Sequence, residues 1–406
     1  MGGFPALPWP DTQIACTLLP ERTSQVHECD SVPAPATNAK WISIVGARPQ
    51  FIKVSPVGKA IQACNQTGGA RLVDHRVINT GQHYDHEMAG LIFQQLGLPA
   101  PDYNLGVGSG SHQEQLARML ERLEPILAEE NPDWVIVYGD TNSTLAGALA
   151  AARLGMAVAH VEAGCRSYNG RMPEEQNRVL TDHLSQLLFT ASRCAVENLR
   201  KEGIGGPQDP RNRIVEFVGD VMYDTFLANF ANAEALAPAT LERLELQSNQ
   251  YYLLTVHRAE NTTQPEQVRN ILQIVESLDL PVLFPMHPRT RQLLTGEGAL
   301  HNGNIRIVPP LGYLELLAAG KYARKIITDS GGVQKEAFYL KVPCVTLRRE
   351  TEWPETVTLG ANRLVGTDRS ELLQAIGEPA SGFEQVDLPF GDGHASELIV
   401  DSLLAA

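Results

Sequence analysis

Short apolar runs alternate with amphipathic stretches along the chain from position 41 onward. In the first half the runs predict β-strands, and the stretches between them predict helices. The predicted strands span 41–45, 71–79, 134–137, 156–161, 187–190 and 214–218. The first predicted helix opens within 46–53 and continues through 56–64, and three more span 86–96, 112–129 and 144–154. Because this alternation is typical of a parallel sheet covered by helices, we expect an α/β domain.

A second series of the same kind follows a loop at Gly219-Asp220 and a helical stretch that reaches about position 250. Its predicted strands span 251–256, 282–286, 305–308, 325–328 and 344–347, and its predicted helices span 265–278, 313–319 and 333–340. The pattern therefore predicts two α/β halves, with domains at 40–220 and 221–388. A final helix within 389–406 is free to dock on either domain, the N-terminal one included.

The composition is that of a water-soluble globular protein, with 43% hydrophobic and 20% charged residues among 406. A formal net charge of −14 argues against nucleic acid or an anionic membrane surface as the partner. No apolar run approaches the roughly 20 residues that a membrane-spanning helix needs. The six cysteines contain no CxxC pair, so the sequence indicates neither a zinc knuckle nor a disulfide framework. We expect a protein of the reducing cytoplasm.

Residues 1–39 differ from the rest of the chain. Prolines at positions 5, 8, 10, 20, 33 and 35 break any helix there. The segment also lacks the cationic start and the long apolar core of a signal peptide. We expect a disordered extension.

Three acidic residues in the first half are candidates for an active site, and two of them follow predicted strands. Asp140 comes after the strand 134–137, Glu162 comes after the strand 156–161, and Glu174 follows a proline shortly afterwards. Because open α/β sheets bind ligands at the carboxyl ends of their strands, we expect these carboxylates to line a site. For Asp140 an alternative stays open, since it could instead cap the helix 144–154. Glu162 and Glu174 have no comparable capping role.

A loop with two adjacent glycines joins the strand 325–328 to the helix after it. Gly331 and Gly332 let the backbone approach a ligand, and Ser330 precedes them where the N–H groups of the helix start are exposed. This arrangement predicts an anion site, with phosphate as the ligand. The loop matches neither the dinucleotide fingerprint nor the Walker loop, so the sequence gives little support to a nicotinamide or ATP. A plain helix cap is the alternative. Glu336, one turn further on, is either a ribose ligand or a surface acid.

Two cations, Arg48 and Lys53, occupy the first turns of the helix that follows the first strand. A positive charge at a helix N-terminus opposes the helix dipole, so these cations are better explained by an anion bound between them and the helix. We expect them to contact phosphate groups.

Two His/Arg pairs end strands of the second half and are further candidates for phosphate binding. They are His257-Arg258 and a similar pair within 287–289. In the first half, His83 and His86 have a spacing that could suggest a metal site, but the nearby acids are not clustered with them as zinc ligands usually are. We expect no metal.

The chain from about Trp41 to its C-terminus resembles the non-hydrolysing UDP-N-acetylglucosamine 2-epimerases. Several motifs in one order carry the resemblance, and together they are more specific than any one of them. They are Gly-Ala-Arg-Pro-Gln-Phe-Ile-Lys from Gly46, Thr-Gly-Gln-His from Thr80, Gly-Asp-Thr from Gly139, His-Val-Glu-Ala-Gly from His160, Pro-Glu-Glu from Pro173, His-Arg-Ala-Glu-Asn from His257 and Thr-Asp-Ser-Gly-Gly-Val-Gln-Lys-Glu from Thr328.

The resemblance implies a glycosyltransferase-B-like fold, with two Rossmann-like doubly wound domains and a deep cleft between them. It implies a UDP-sugar as the partner, a homodimer, and no nicotinamide or metal cofactor. The implied reaction interconverts UDP-N-acetylglucosamine and UDP-N-acetylmannosamine by anti elimination of UDP, through 2-acetamidoglucal, and readdition of UDP. Carboxylates suit this chemistry, because they stabilise an oxocarbenium-like ring and move the C2 proton.

Site residues follow from the resemblance position by position. Asp140, Glu162 and Glu174 match the catalytic acids of the family, and His257 matches its histidine near the leaving phosphate. Which acid removes the C2 proton stays open. The matched substrate-binding residues are Arg48, Lys53, Ser330, Gly331, Gly332, Glu336 and Arg348, with His83, Arg178 and Arg258 as further candidates.

The sequence departs from the family pattern at points that concern the ligand. Leu311 stands where many members place a glutamine that reads uracil, and the segment 351–356 resembles a branch that includes epimerases of UDP-2,3-diacetamido-glucuronic acid. The sugar therefore stays open. Three other functions are also open: a glycosyltransferase of the same fold, a hydrolysing epimerase and a non-catalytic sensor. The three acids and the segment 48–53 favour the non-hydrolysing epimerase.

Overall fold

The computed structural model describes residues 38–68, 71–82, 95–262, 265–286, 290–291, 303–379 and 389–406. Thr37–Ala406 forms one compact unit. Several predictions lie outside the described residues: the extension up to residue 37, His83, most of the helix 86–96, and the His/Arg pair within 287–289. The division into domains also stays a prediction.

The first half of the chain forms a parallel sheet. Its strands are β1 (Ala39–Val45), β2 (Val73–Asn79), β3 (Tyr103–Asn104), β4 (Trp134–Tyr138), β5 (Ala157–Ala163), β6 (Leu187–Thr190) and β7 (Ile214–Phe217). Within the described residues they lie in the order β3-β2-β1-β4-β5-β6-β7. The central strands are buried along almost their whole length, as the continuous apolar runs predict for a sheet covered on both faces.

Five described helices accompany this sheet. They are α1 (Arg48–Gln66), α2 (His112–Glu130), α3 (Asn142–Arg153), α4 (Pro173–Leu184) and α5 (Arg193–Lys201). The start of α2 shows why the sequence folds locally as it does. The Ser111 hydroxyl accepts from the Glu114 backbone N–H, and the Glu114 carboxylate accepts from the Ser111 N–H. Met119, Leu123 and Leu127 then form a buried stripe.

The second half repeats the arrangement after a long helix, α6 (Val221–Arg243). Its strands are β8 (Tyr252–Thr255), β9 (Val282–Pro285), β10 (Ile305–Val308), β11 (Lys325–Thr328), β12 (Cys344–Thr346) and β13 (Asn362–Leu364). The described helices are α7 (Ala259–Thr262), α8 (Pro265–Glu276), α9 (Tyr313–Lys321), α10 (Gly331–Leu340), α11 (Pro354–Thr358), α12 (Arg369–Gly377) and α13 (Ala395–Ala405). In the described part of the chain these strands are parallel, in the order β10-β9-β8-β11-β12-β13.

Both sheets have the strand order of Rossmann-type folds, which confirms the predicted fold class. The direction of winding reverses between β1 and β4 in the first sheet, and between β8 and β11 in the second. Such a switch point opens a crevice at the carboxyl ends of the strands, where α/β sheets bind ligands. Each half of the chain therefore has one predicted ligand-binding crevice.

Two crossings of the chain between the sheets touch each other. Gly219 and Gly391 both have left-handed backbones, with φ of 92° and 85°, and a Cβ added to Gly391 would lie 2.8 Å from the Cα of Gly219. The backbone N–H of Asp220 donates to the carbonyl of Phe390 at 2.8 Å. After this contact α13 packs against α1, and α6 packs against both α1 and α9. None of the described helices is long and apolar enough to cross a membrane.

Candidate active site

Asp140 lies at the switch point of the first sheet, directly after β4. Thr141, and not Asp140, caps the following helix α3, because the Thr141 hydroxyl accepts from the Thr144 N–H. Asp140 therefore does not have the capping role that the sequence left open. Its carboxylate instead accepts a hydrogen bond from Arg178, a residue that the sequence offered only as a further candidate.

Arg178 connects Asp140 to two more carboxylates. Its guanidinium lies 2.5 Å from Glu175 on the same helix and 3.5 Å from Glu352, which belongs to the second half of the chain. The Arg178 side chain is only 3% exposed. Glu174 precedes Arg178 by four residues on α4, so it shares the helix face that points at Asp140. Glu174 is half-buried there.

Glu162 lies near the end of β5 in an unusual backbone conformation. Its φ of 72° is in the left-handed region, and the register of β5 with β6 shifts between Val161 and Ala163. A bulge of this kind redirects a side chain, and a strained residue of this type typically costs about 1–3 kcal/mol and is concentrated at functional sites. The bulge places the Glu162 carboxylate between two ammonium groups. Lys53 lies 2.6 Å from one oxygen and Lys335 lies 2.8 Å from the other.

Lys335 extends this cluster to the crossing of the chain. Its ammonium group lies 2.6 Å from Asp220 and 3.9 Å from the centre of the Trp353 ring. Tyr339, one turn further along α10, donates its hydroxyl hydrogen to Asp220 at 2.5 Å. Burial would raise the pKa of Glu162, but the charges of Lys335 and Lys53 outweigh it and lower that pKa. Glu162 is therefore a carboxylate at neutral pH.

The glycine loop lies at the switch point of the second sheet. The Ser330 hydroxyl caps α10 by accepting from the Val333 N–H, and Gly331 and Gly332 form its first turn. A Cβ on Gly331 would lie 3.4 Å from the Trp353 indole nitrogen, which is ordinary van der Waals contact. The N-terminus of α10 thus faces the cleft with a positive dipole end, as an anion site requires.

Glu336 is buried on the same helix, and Arg48 approaches it from the first half. Burial raises the pKa of Glu336 to about 7, although Arg48 and Lys335 act in the opposite direction. Burial also lowers the pKa of Arg48, while the charge of Glu336 raises it. The structure thus brings together two residues that were predicted to bind substrate, Arg48 on α1 and Glu336 on α10.

His257 follows β8 at the same switch point, and Asp329 holds its turn. The Asp329 carboxylate accepts from the backbone N–H groups of His257 and Arg258 and from the side chain of Asn261. The His257 ring lies 3.5 Å from that carboxylate and is 53% exposed. Its ring is therefore accessible to a ligand in the cleft, while its backbone is fixed.

Arg348 lies at the end of β12 and forms a bidentate pair with Glu352, with both distances at 2.9 Å. Glu352 also lies 3.6 Å from Arg258. Met172, from the first half, contacts both arginines through its sulfur. Beside this cluster lies an open cavity of about 580 Å³. The three arginines around Glu352 thus share one buried carboxylate.

Several residues of the site were not predicted from the sequence. The sequence alone indicates no role for Lys335, Glu352 or Asp220, although Lys335 lies in the motif that begins at Thr328 and Glu352 lies in the segment 351–356. Glu175 accepts hydrogen bonds from the Ser167 and Tyr168 backbones and so shapes the loop before α4. The burial of Lys335, between the buried residues Gln334 and Glu336 on α10, is visible only in the structure.

Comparison with known proteins identifies the family. A family model described as UDP-N-acetylglucosamine 2-epimerase matches residues 65–404. The UDP-N-acetylglucosamine 2-epimerase homolog of Methanococcus maripaludis is 47% identical over 368 residues, which cover 90% of this chain and 99% of that protein. The UDP-2,3-diacetamido-2,3-dideoxy-D-glucuronate 2-epimerase of Pseudomonas aeruginosa is 43% identical, with 90% of this chain and 99% of that protein covered.

A solved structure agrees with this result. The crystal structure of Methanocaldococcus jannaschii UDP-GlcNAc 2-epimerase in complex with UDP-GlcNAc and UDP matches with a TM-score of 0.81 at 42% identity, covering 90% of this chain and 100% of that chain. The similarity includes both sheets and therefore both switch points. This chain is an enzyme and belongs to the UDP-N-acetylglucosamine 2-epimerase family.

Proposed function

We propose that this enzyme interconverts UDP-N-acetylglucosamine and UDP-N-acetylmannosamine. In the elimination step the C2 proton passes to a protein carboxylate, the C2–H electron pair forms the C1=C2 bond of 2-acetamidoglucal, and the C1–O bond breaks with its electrons leaving on UDP. In the second step UDP adds back to C1 and a proton is delivered to the opposite face of C2. Family membership and the arrangement of the acids both support this reaction.

The main support for the proposal is the short distance between the anion site and the Glu162 carboxylate. The bond that breaks joins C1 to the diphosphate, and the proton that moves is on the neighbouring carbon. A catalytic carboxylate must therefore lie within a few ångströms of the phosphate site. Lys335 contacts Glu162 at 2.8 Å, and it follows Gly331 on α10 by four residues, which is a rise of about 6 Å. The anion site and the carboxylate are adjacent in this way.

In this proposal the predicted residues divide into two groups. Asp140, Glu162 and Glu174 lie around the sugar, where they stabilise the cationic ring and exchange the C2 proton. His257 contacts the leaving phosphate. The residues proposed to bind the nucleotide are Arg48, Lys53, Ser330, Gly331, Gly332, Glu336 and Arg348.

A second substrate is favoured by one comparison, because the Pseudomonas relative acts on a UDP-diacetamido-glucuronate. That sugar carries an additional carboxylate at C6, which needs a compensating cation. Among the described residues of the cleft, Arg178, Arg258 and Arg348 all lie within 3.6 Å of Glu352. Asp140, Glu175 and Glu352 supply three negative charges against the three positive charges of these arginines. This balance leaves no cation among these arginines for a further carboxylate and supports the neutral N-acetylhexosamine as the preferred substrate.

Proton NMR in deuterated water tests the proposal. The purified full-length chain is incubated with UDP-GlcNAc, and in parallel with the diacetamido-glucuronate, without any acceptor. We expect loss of the C2 proton signal of UDP-GlcNAc and the appearance of UDP-ManNAc. The Asp140→Asn variant should lose exchange, while Glu197→Gln, a change on the exposed face of α5, should not. Binding of UDP-GlcNAc without exchange in the unmodified chain would overturn the proposal.

A further inference from the structure

Lys335 is a buried cation that connects the two halves of the enzyme at the active site. Its side chain is 1% exposed, and its three nearest partners are Glu162, Asp220 and the face of Trp353. Glu162 lies near the end of β5 and Asp220 follows β7, so both belong to the first half of the chain, whereas Lys335 belongs to the second half. An ammonium group has three donor hydrogens, so it can serve both carboxylates at once.

The charges of the cluster balance only when Lys335 is included. Glu162 and Asp220 supply two negative charges, and Lys53 and Lys335 supply two positive charges. Burying a charge without a partner is costly, so each carboxylate depends on these ammonium groups to stay ionised. The Glu162 carboxylate receives one ammonium on each oxygen. A carboxylate has about four lone-pair sites, so it can still accept a substrate proton.

We propose that Lys335 is a positioning residue that holds Glu162 in the ionised form and in the orientation needed to accept the C2 proton. The inference rests on the proposed function, because it assigns Glu162 as the proton acceptor for one face of the sugar. Lys335 reaches Glu162 only when α10 and its anion site lie against the first sheet. Lys335 therefore links the helix that forms the diphosphate site to the ionisation and orientation of the Glu162 carboxylate.

The other ionisable groups around Glu162 do not replace Lys335. Lys53 approaches from α1 and is already bound to the other oxygen. Asp220 is an acid whose charge raises the pKa of Glu162. Tyr339 and Cys165 supply no positive charge, and Glu162 itself contributes to raising the pKa of both. Removal of Lys335 leaves Glu162 with one cation instead of two.

The test combines pH profiles with a readout that needs no turnover. The variants are Lys335→Met, Lys335→Arg and the double variant Lys335→Met/Asp220→Asn, with the exposed Lys201→Met as the matched control. The double variant removes both charges of the Lys335–Asp220 pair together, so it covers the case in which the single change prevents folding. The kcat/KM for deuterium incorporation from UDP-GlcNAc is measured against pH. The carboxyl pKa of Glu162 is measured by carbon-13 NMR of glutamate-labelled protein, with Glu162→Gln as the assignment reference.

Loss of a cation raises the pKa of a carboxylate, and the active form here is the carboxylate. The acid limb of the pH profile should therefore move to higher pH by about 1–3 units in Lys335→Met. It should move in the same direction by a smaller amount in the double variant, because that variant also loses the negative charge of Asp220, which raises the pKa of Glu162. The KM should change by less than about threefold, because the change affects the base and not uniform binding. Lys335→Arg keeps the positive charge, so the acid limb of its kcat/KM profile should lie at the same pH as in the unmodified enzyme. Lys201→Met should match the unmodified enzyme.

Two results would overturn the inference and leave the proposed function standing. One is exchange in the unmodified enzyme together with an unshifted acid limb and an unchanged Glu162 pKa in the folded variants. The other is an arginine variant as impaired as the methionine variant, with the same shifted limb. If the unmodified enzyme does not exchange the C2 proton, the proposed function fails, but the NMR titration still reports whether Lys335 sets the ionisation of Glu162.

Discussion

Arg178 donates a hydrogen bond to Asp140 across 38 residues of sequence, from the second turn of α4 to the end of β4. This contact makes α4 part of the active-site wall. The same guanidinium holds Glu175 and approaches Glu352, so one buried side chain links the acid at the first switch point to the second half of the chain.

Replacement of Arg178 by methionine should therefore affect both stability and rate. Removing one partner of a buried ion pair typically costs about 3–5 kcal/mol, because the remaining charges lose their compensation. A misplaced Asp140 should lower kcat by about 100-fold. Urea denaturation and NMR exchange measure the two effects. The exposed Arg200→Met should change stability by less than about 0.5 kcal/mol. Unchanged values for Arg178→Met would show that Asp140 is held by other contacts.

Gly139 offers a test of the Lys53–Glu162 contact that leaves both charges in place. Its φ is 66°, and a Cβ there would lie 2.7 Å from the Lys53 ammonium nitrogen. Gly139→Ala should displace Lys53 from Glu162 and lower kcat by at least about tenfold, in addition to a backbone cost of about 1–2 kcal/mol. Gly155→Ala is the matched control, because Gly155 has a φ of 74° and open space around the added Cβ. Equal kinetic effects in the two variants would contradict the prediction.

His160 supports the turn that carries Asp140. Its Nε2 lies 2.7 Å from the Gly139 carbonyl oxygen, and its Nδ1 lies 2.7 Å from Asp182. A carbonyl oxygen only accepts, so Nε2 must carry a proton. His160→Phe should leave the buried carbonyl without this donor and cost about 1–3 kcal/mol of stability. Nitrogen-15 NMR of the imidazole should find Nε2 protonated at neutral pH. A neutral ring with its only proton on Nδ1 would refute the assignment.

The raised pKa of Glu336 predicts that substrate binding is coupled to the release of a proton from this residue. Burial raises its pKa to about 7, above its ordinary value, so its contribution to stability is present below the ordinary pKa and is lost as the pH rises through 7. A ribose hydroxyl that donates to Glu336 favours the carboxylate and should expel the proton. Calorimetry at pH 7 in buffers of different ionisation enthalpy should detect release of about half a proton when UDP-GlcNAc binds.

The Glu336→Gln variant is the control for this linkage. It cannot ionise, so it should bind UDP-GlcNAc with no proton release from this position and should lose the fall in stability between the ordinary pKa and 7. Proton release of the same size in the variant would assign the linkage to another group. Arg48, Lys335 and Asp220 are the charged neighbours that would then have to be considered.

The sequence predicted the strands and the ends of the strands because those signals are local. Apolar runs identified β6, β10 and β11 to the residue, and the acids near the ends of β4 and β5 marked the edge of the first sheet where the site lies. The bulge that redirects Glu162 could not be predicted, since it depends on pairing between β5 and β6. The choice of Thr141 over Asp140 as the helix cap also depended on a distant partner, because Arg178 engages the Asp140 carboxylate.

The contacts made across the cleft were the least predictable part of the site. Lys335 and Glu162 are separated by 173 residues, and nothing in either segment specifies the other. The helices α4 and α5 were missed as well. The segment of α4 was interpreted through its acids alone, although Pro173 at its start and the acids in its first turn are ordinary signals of a helix N-terminus.

The touching glycines at the two crossings have a mechanical consequence. Two adjacent connections restrict the relative movement of the segments they join more than a single connection would. Asp220 directly follows Gly219. Its carboxylate forms an ion pair with Lys335 and accepts a hydrogen bond from Tyr339, both on α10. A rotation at Gly219 that moves α10 away from the first sheet would therefore lengthen the contacts of Asp220 with Lys335 and Tyr339. Asp220 therefore couples the backbone at this crossing to the ion pairs of the site.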